Sequence, residues 1–125
     1  AAHTAMPDPF DETMRQALIA SAEALGIPHH KRGTVITMEG PRFSTRAESR
    51  MYRIWGADVV NMSVAPEAAL ANEVHIPYAA AAMSTDYDSW KEGEEPVTWD
   101  MILEIFGQNV EKVTRLLVDT IPRLR

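Results

Sequence analysis

Three short apolar runs, each followed by a loop and a stretch of helical periodicity, constrain the fold of this chain more than any other feature. Thr34 to Met38 is β-branched and short, and it stops at Glu39-Gly40-Pro41, where glycine permits a sharp turn and proline cannot continue a ladder. Asp58 to Met62 repeats the pattern with Val59 and Val60, and Ile76 to Met83 supplies a third strand. Between them, Ser44 or Thr45 can cap a helix from about Arg46 to Trp55, with Glu48 near its first turn and Gly56 after its end. Pro66 opens a further helix to about Val74. This alternation predicts an α/β fold, a mixed and largely parallel sheet flanked by helices.

Helices also bracket the alternating part. Asp11 is a plausible N-cap for a helix whose apolar face is Met14, Leu18, Ala22 and Leu25, closed by Gly26 and Pro28. From Trp99 to about Thr120, the spacing of Ile102, Ile105, Phe106, Val110, Val113 and Leu117 makes a long amphipathic helix. The first ten residues hold two prolines, Pro7 and Pro9, without periodicity and without an initial methionine, and they read as a segment interior to a longer chain. With 125 residues there is room for one modest core, so the chain is expected to lie within a single domain.

Composition narrows the function by exclusion. The 18 acidic and 12 basic residues give a net charge of -6, which offers no electrostatic footprint for nucleic acid or an anionic membrane. No apolar run reaches membrane-span length and no basic-then-apolar leader is visible, so a cytoplasmic location is expected. Cysteine is absent, and His3, His29, His30 and His75 show no helical pairing, so neither a disulfide framework nor a metal site is expected.

Ligands of open parallel sheets gather beyond the carboxyl ends of the strands. The segments that fall there are chemically loaded. In Ser84-Thr85-Asp86-Tyr87-Asp88-Ser89-Trp90, an extended backbone points Asp86 and Asp88 to the same side, where they can meet one ligand edge together. For an isolated pair at this spacing, a polar turn or a helix cap is the simpler reading.

The wider pattern favours a site. Gly33-Thr34, Met38-Glu39-Gly40-Pro41-Arg42-Phe43-Ser44, Arg46-Ala47-Glu48-Ser49, Trp55-Gly56-Ala57-Asp58, Asn61-Met62, Pro66-Glu67, Thr85-Asp86-Tyr87-Asp88 and Trp90-Lys91-Glu92 occur in this order. Together they make the chain resemble the methylthioadenosine phosphorylase branch of the trimeric purine nucleoside phosphorylases, from His3 to about Pro122. Members of that family are roughly twice this length. The resemblance therefore implies the C-terminal part of a nucleoside phosphorylase domain, with the Gly-rich phosphate loop and an Arg-His phosphate-binding pair supplied by an N-terminal half.

Phosphorolysis breaks the bond between the sugar's anomeric carbon and the purine, with inorganic phosphate as co-substrate and no other cofactor. It needs a proton or hydrogen bond at purine N7, donors for phosphate and an apolar floor for the base. By the resemblance, Asp86 is catalytic, giving a proton to N7, while Asp88 helps read the base edge. That role needs Asp86 to carry its proton in the complex, a state that burial and the neighbouring Asp88 carboxylate would favour. Enzymes of the family that take 6-oxopurines carry Asn in place of Asp86 and Glu in place of Ser44, so this pair implies a 6-aminopurine.

The resemblance further implies that Phe43 stacks on the base, Met62 lies against the ribose and Ser63 binds phosphate. Val97, Trp99 and Ile102 would wall the pocket for the 5'-substituent, and His3 would reach into a neighbour's site within a homotrimer. Taken singly, Phe43 and Met62 are ordinarily core residues and Ser63 a cap. Arg42 and Arg46 read as structural or salt-bridged. Two departures stand out: Ser63 where threonine is usual and Trp99 where a small aliphatic residue is usual. They leave open a phosphorylase of broader purine-nucleoside preference beside one for methylthioadenosine, and a non-catalytic purine-binding module is the third reading.

Overall fold

The structure is a computed structural model, and it describes residues 3–91, 93 and 98–124. Val97, one of the residues expected to wall the 5'-pocket, lies outside the described residues. The elements run α1 (Glu12–Ala24), β1 (Val35–Thr37), α2 (Arg46–Ile54), β2 (Val59–Asn61), α3 (Val64–Glu73) and α4 (Trp99–Thr120), followed by a 3-10 turn over Ile121–Leu124. The chain packs as two compact units. One is Ala1–Lys31 with Val64–Ala82 and Lys112–Arg125, and the other is Arg32–Ser63 with Met83–Glu111.

The first unit is helical. Asp11 caps α1 as its sequence position suggests, accepting from the Met14 amide at 2.7 Å, and Gly26 ends the helix with a φ of 64° that glycine adopts without a Cβ clash. Small side chains, Ser21, Ala22 and Ala68, are buried there together with Leu116. Phe10 stacks on Tyr78 with ring centroids 6.0 Å apart, and the Asn72 amide group donates to the carbonyls of Pro9 and Ala68 at 3.1 and 2.8 Å.

The second unit carries the sheet. β1 and β2 pair in parallel, Val35 with Val59, Ile36 with Val60 and Thr37 with Asn61, and α2 forms the crossover between them. At the start of the pair, the Thr34 amide donates to Asp58 Oδ2 at 2.7 Å, so Asp58 anchors the strand entry.

Thr45, not Ser44, caps α2. Its side chain accepts from the Glu48 amide while the Glu48 carboxylate accepts from the Thr45 amide, a reciprocal capping box. Arg42 closes the arrangement with two bonds to Glu48, at 2.8 and 2.6 Å, as its expected structural role requires. The Arg42 guanidinium first, and then the Thr45 amide and hydroxyl, hold the Glu48 carboxyl down at about 2, against its ordinary 4.5. A depressed folded-state pKa contributes stability that is complete above 4.5 and is lost as pH falls from there toward about 2. Replacing Glu48 by Gln, which keeps an oxygen for the Thr45 amide, should therefore flatten the fall in urea midpoint between pH 4.5 and about 2. An unaltered profile would mean that other carboxylates carry the acid sensitivity.

Two expectations need correction. Ile76 to Met83 is not a strand, because a strand needs a ladder partner. In this run the Tyr78 carbonyl accepts from the Asp11 amide, in a unit whose other elements are helices. The third helix begins at Val64, two residues before Pro66, so the proline sits within the first turn, where its missing N–H costs nothing.

Candidate active site

The carboxyl ends of β1 and β2 bring two of the motif stretches side by side. Beyond the ladder the Met38 amide donates to the Asn61 carbonyl at 2.9 Å, and the Thr37 hydroxyl donates to Asn61 Oδ1 at 2.8 Å. The chains then separate, one into Glu39-Gly40-Pro41 and the other into Met62-Ser63. Met62 lies against Gly40 so closely that a Cβ on the glycine would stand 2.6 Å from its sulfur. Glycine leaves the room that this approach of the half-exposed Met62 side chain needs. Ser63 is exposed and stands directly before α3.

The Asp86 segment lies in the same unit. Its Ser89 hydroxyl donates to the Ser44 carbonyl at 2.8 Å, tying it to the loop that follows the first strand. Ser44 is itself buried, with its hydroxyl donating to Met38 Sδ at 3.0 Å, while the neighbouring Phe43 ring is partly exposed. The Thr85 hydroxyl donates to Asp86 Oδ1 at 2.5 Å, and the exposed Asp86 carboxylate retains acceptor capacity for a ligand.

A cleft of about 420 Å³ is lined by Ser84, Thr85, Asp86 and Tyr87 together with Met101, Ile102 and Ile105 of α4. It combines a carboxylate and hydroxyls with an apolar wall, the mixture that suits a small ligand with a flat apolar body and a polar edge. The sequence marks Ile105 only as part of the apolar face of this helix and does not mark Met101, although their spacing about Ile102 places all three on neighbouring turns.

The structure thus brings Asp86 and Ile102 into one cleft and ties Phe43-Ser44 to the same segment, with Met62 and Ser63 at the end of the adjoining strand. Asp88 is half-buried, and its carbonyl accepts from the Lys91 amide at 3.3 Å. Trp99 is 65% exposed at the first residue of α4 and is not among the cleft residues. His3 is exposed and belongs to the helical unit. Among the described residues, no group of three or more His, Asp and Glu is placed to hold a metal ion.

A phosphorylase-type α/β frame with a carboxylate-edged cleft agrees with the sequence comparison. The chain belongs to the phosphorylase superfamily, which it matches over residues 1–122. Within it, the chain is similar to S-methyl-5'-thioadenosine phosphorylases. It is 50% identical over 122 residues to that of Xenopus tropicalis, covering 98% of this chain and 43% of the relative. To that of Thermofilum pendens it is 49% identical over 123 residues, covering 98% and 46%. The chain spans a little under half the length of these relatives.

Solved structures agree. Methylthioadenosine phosphorylase from Schistosoma mansoni in complex with adenine superposes with a TM-score of 0.92 at 37% identity, covering 99% of this chain and 49% of that one. A mutant of the adenosine/methylthioadenosine phosphorylase of that organism in complex with methylthioadenosine gives 0.91 at 36%, covering 99% and 48%. The α/β fold class expected from the alternating runs is therefore the fold observed.

Proposed function

We propose that this chain forms the purine- and ribose-binding part of an enzyme that converts 5'-methylthioadenosine and phosphate to adenine and 5-methylthioribose 1-phosphate. The observation that carries the reading is the cleft lined by both Asp86 and the apolar residues Met101, Ile102 and Ile105. The names of the similar proteins, and the adenine and methylthioadenosine bound to the structural neighbours, support it.

In this reaction a phosphate oxygen forms a bond to the anomeric carbon as the bond from that carbon to N9 breaks. The electron pair passes into the purine, and a proton from Asp86 at N7 neutralises the charge that develops there. Asp88 accepts from the 6-amino group, Phe43 covers the base, Ser44 leaves room at its edge, Met62 contacts the ribose and Ser63 donates to phosphate. Asp86 is exposed, so exclusion of water from it depends on the bound nucleoside and on the surface that closes over the site. The remaining phosphate donors belong to an N-terminal half of the same enzyme.

A homotrimer, with His3 reaching a neighbour's site, is part of the same reading. Large apolar side chains, among them Ile54 at 84%, Trp55 at 65% and Leu70 at 62%, are exposed and call for cover by further protein surface, that of an N-terminal half or of a neighbouring subunit. A location in the cytoplasm and a role in purine and methionine salvage are part of the same proposal. Preference for a wider range of nucleosides is the second reading, favoured by a structural neighbour named for both adenosine and methylthioadenosine. Comparing kcat/KM for methylthioadenosine, adenosine and inosine separates the two: tenfold or greater preference for methylthioadenosine supports the first, and near-equal values the second.

The 5'-pocket has its own test. Ile102 lines the cleft whereas Trp99 stands exposed at the helix start. Ile102→Ala should lower kcat/KM for methylthioadenosine by about tenfold and relax selection among 5'-alkylthio lengths. Trp99→Val should change that length profile less. If only the Trp99 variant alters the profile, the wall lies at Trp99 and not in the cleft.

A further inference from the structure

The segment that carries Asp86 and Asp88 is held from α2 by a cation–π contact. The Arg53 guanidinium, in the last turn of α2, lies over the Trp90 ring at 3.9 Å from its centroid. Trp90 meets Tyr87 edge-on at 5.8 Å, and the Lys91 ammonium lies over the Tyr87 ring at 3.7 Å. Tyr87 lines the cleft between the two aspartates in sequence. A chain of cation–ring and edge-to-face contacts therefore runs from α2 through Trp90 to Tyr87, at the edge where the base would be read.

This stretch of backbone lies in no strand or helix. Beside the backbone bond from the Lys91 amide to the Asp88 carbonyl, its geometry rests on side-chain contacts, namely the Ser89 bond to the Ser44 carbonyl at one point and the Arg53 stack at another. Arginine suits this task better than lysine, because its guanidinium is planar and can lie flat on an indole face while keeping its N–H groups free for water. Its charge at the carboxyl end of α2 is also favourable to the helix dipole.

We propose that Arg53 is a positioning residue for base recognition, acting through Trp90 to hold Asp86 and Asp88 in register with the purine edge. The recognition half of this inference rests on the proposed phosphorolysis, whereas the pinning of the segment does not. Loss of the stack lets the two carboxylates sample positions off the base edge, which weakens nucleoside binding and blurs the distinction between 6-amino and 6-oxo bases. Chemistry in the correctly seated fraction is unaffected.

The test uses the protein carrying this chain, with Arg53→Ala, Arg53→Lys, Trp90→Phe and Trp90→Leu. Hydrogen exchange of the unliganded protein reads the pin directly. Amides from 84 to 91 should exchange faster in Arg53→Ala and Trp90→Leu than in the wild type and Trp90→Phe, with the β1 and β2 amides unchanged. Unchanged exchange at 84 to 91 overturns the proposal, whatever the substrate.

Kinetics then read the consequence. Arg53→Ala should raise KM for methylthioadenosine by about five- to tenfold with kcat within about twofold, and lower the preference for 6-amino over 6-oxo substrates. Arg53→Lys, which keeps the charge but not the planar stack, should fall between. A purely structural role for Arg53 would reduce active protein without moving KM or base preference, and that outcome also overturns the proposal. Failure of the wild-type protein to cleave or bind any purine nucleoside overturns the proposed function and the recognition role with it, while the exchange result decides the pinning separately.

Discussion

Asp86→Asn is expected to lower the ratio of kcat/KM for methylthioadenosine to that for methylthioinosine by about 10²-fold or more. The Thr85 hydroxyl donates to Asp86 Oδ1, so an asparagine would keep its carbonyl oxygen at that position and turn its amide nitrogen toward the ligand. The group facing the base then changes from a carboxyl that gives its proton to N7, beside an Asp88 that accepts from the 6-amino group, to an amide N–H that suits a 6-keto oxygen. Loss of the proton donor should also lower kcat on methylthioadenosine by about 10²- to 10⁴-fold. An unchanged preference would mean that Asp86 does not read the 6-position.

Gly40→Ala should strike the ribose side of the site through Met62. A Cβ 2.6 Å from the Met62 sulfur cannot be accommodated in place, but the side chain is partly exposed and can swing away. The cost in stability is therefore modest, about 1 kcal/mol, as for mild overpacking relieved by rotation. The cost in function is larger, because Met62 leaves the position proposed to contact the sugar, and KM for methylthioadenosine should rise by about tenfold. A double-mutant cycle with Met62→Ala isolates the mechanism. If the glycine acts through Met62, the double variant should bind no more weakly than Met62→Ala alone; additive losses would assign Gly40 a separate role in the turn.

Local chemistry made much of the fold readable from the residues themselves. Asp11, Thr45 with Glu48, Gly26 and Gly56 mark helix ends by mechanisms that act within a few residues, and each stands where its type suggests. Val35 to Thr37 and Val59 to Asn61 find each other because each supplies the ladder partner the other lacks. Ile76 to Met83 has equally apolar residues, but pairing is a property of two segments, and periodicity in one of them cannot report the absence of the other. The start of α3 was displaced for a local reason: Pro66 is compatible with several positions in a first turn, and proline alone does not choose among them.

The candidate site divides in the same way. Asp86 stood out by its motif and Ile102 by the family resemblance, while Met101, and Ile105 as more than a residue of the helix's apolar face, joined the site only where α4 meets the Asp86 segment. Arg53 gave no signal as a single residue, because a cation near a helix carboxyl end has an ordinary electrostatic explanation. Its contact with Trp90 joins residues 37 positions apart, which only the folded chain displays.

The central claim is that this cleft belongs to a phosphate-dependent nucleoside-cleaving enzyme, and its most direct test follows adenine released from methylthioadenosine with and without inorganic phosphate. Release that requires phosphate, with one phosphate consumed and one phosphorylated methylthioribose formed per adenine, is the expected result. Adenine released at the same rate without phosphate, or none released under either condition by the protein carrying this chain, would contradict the claim.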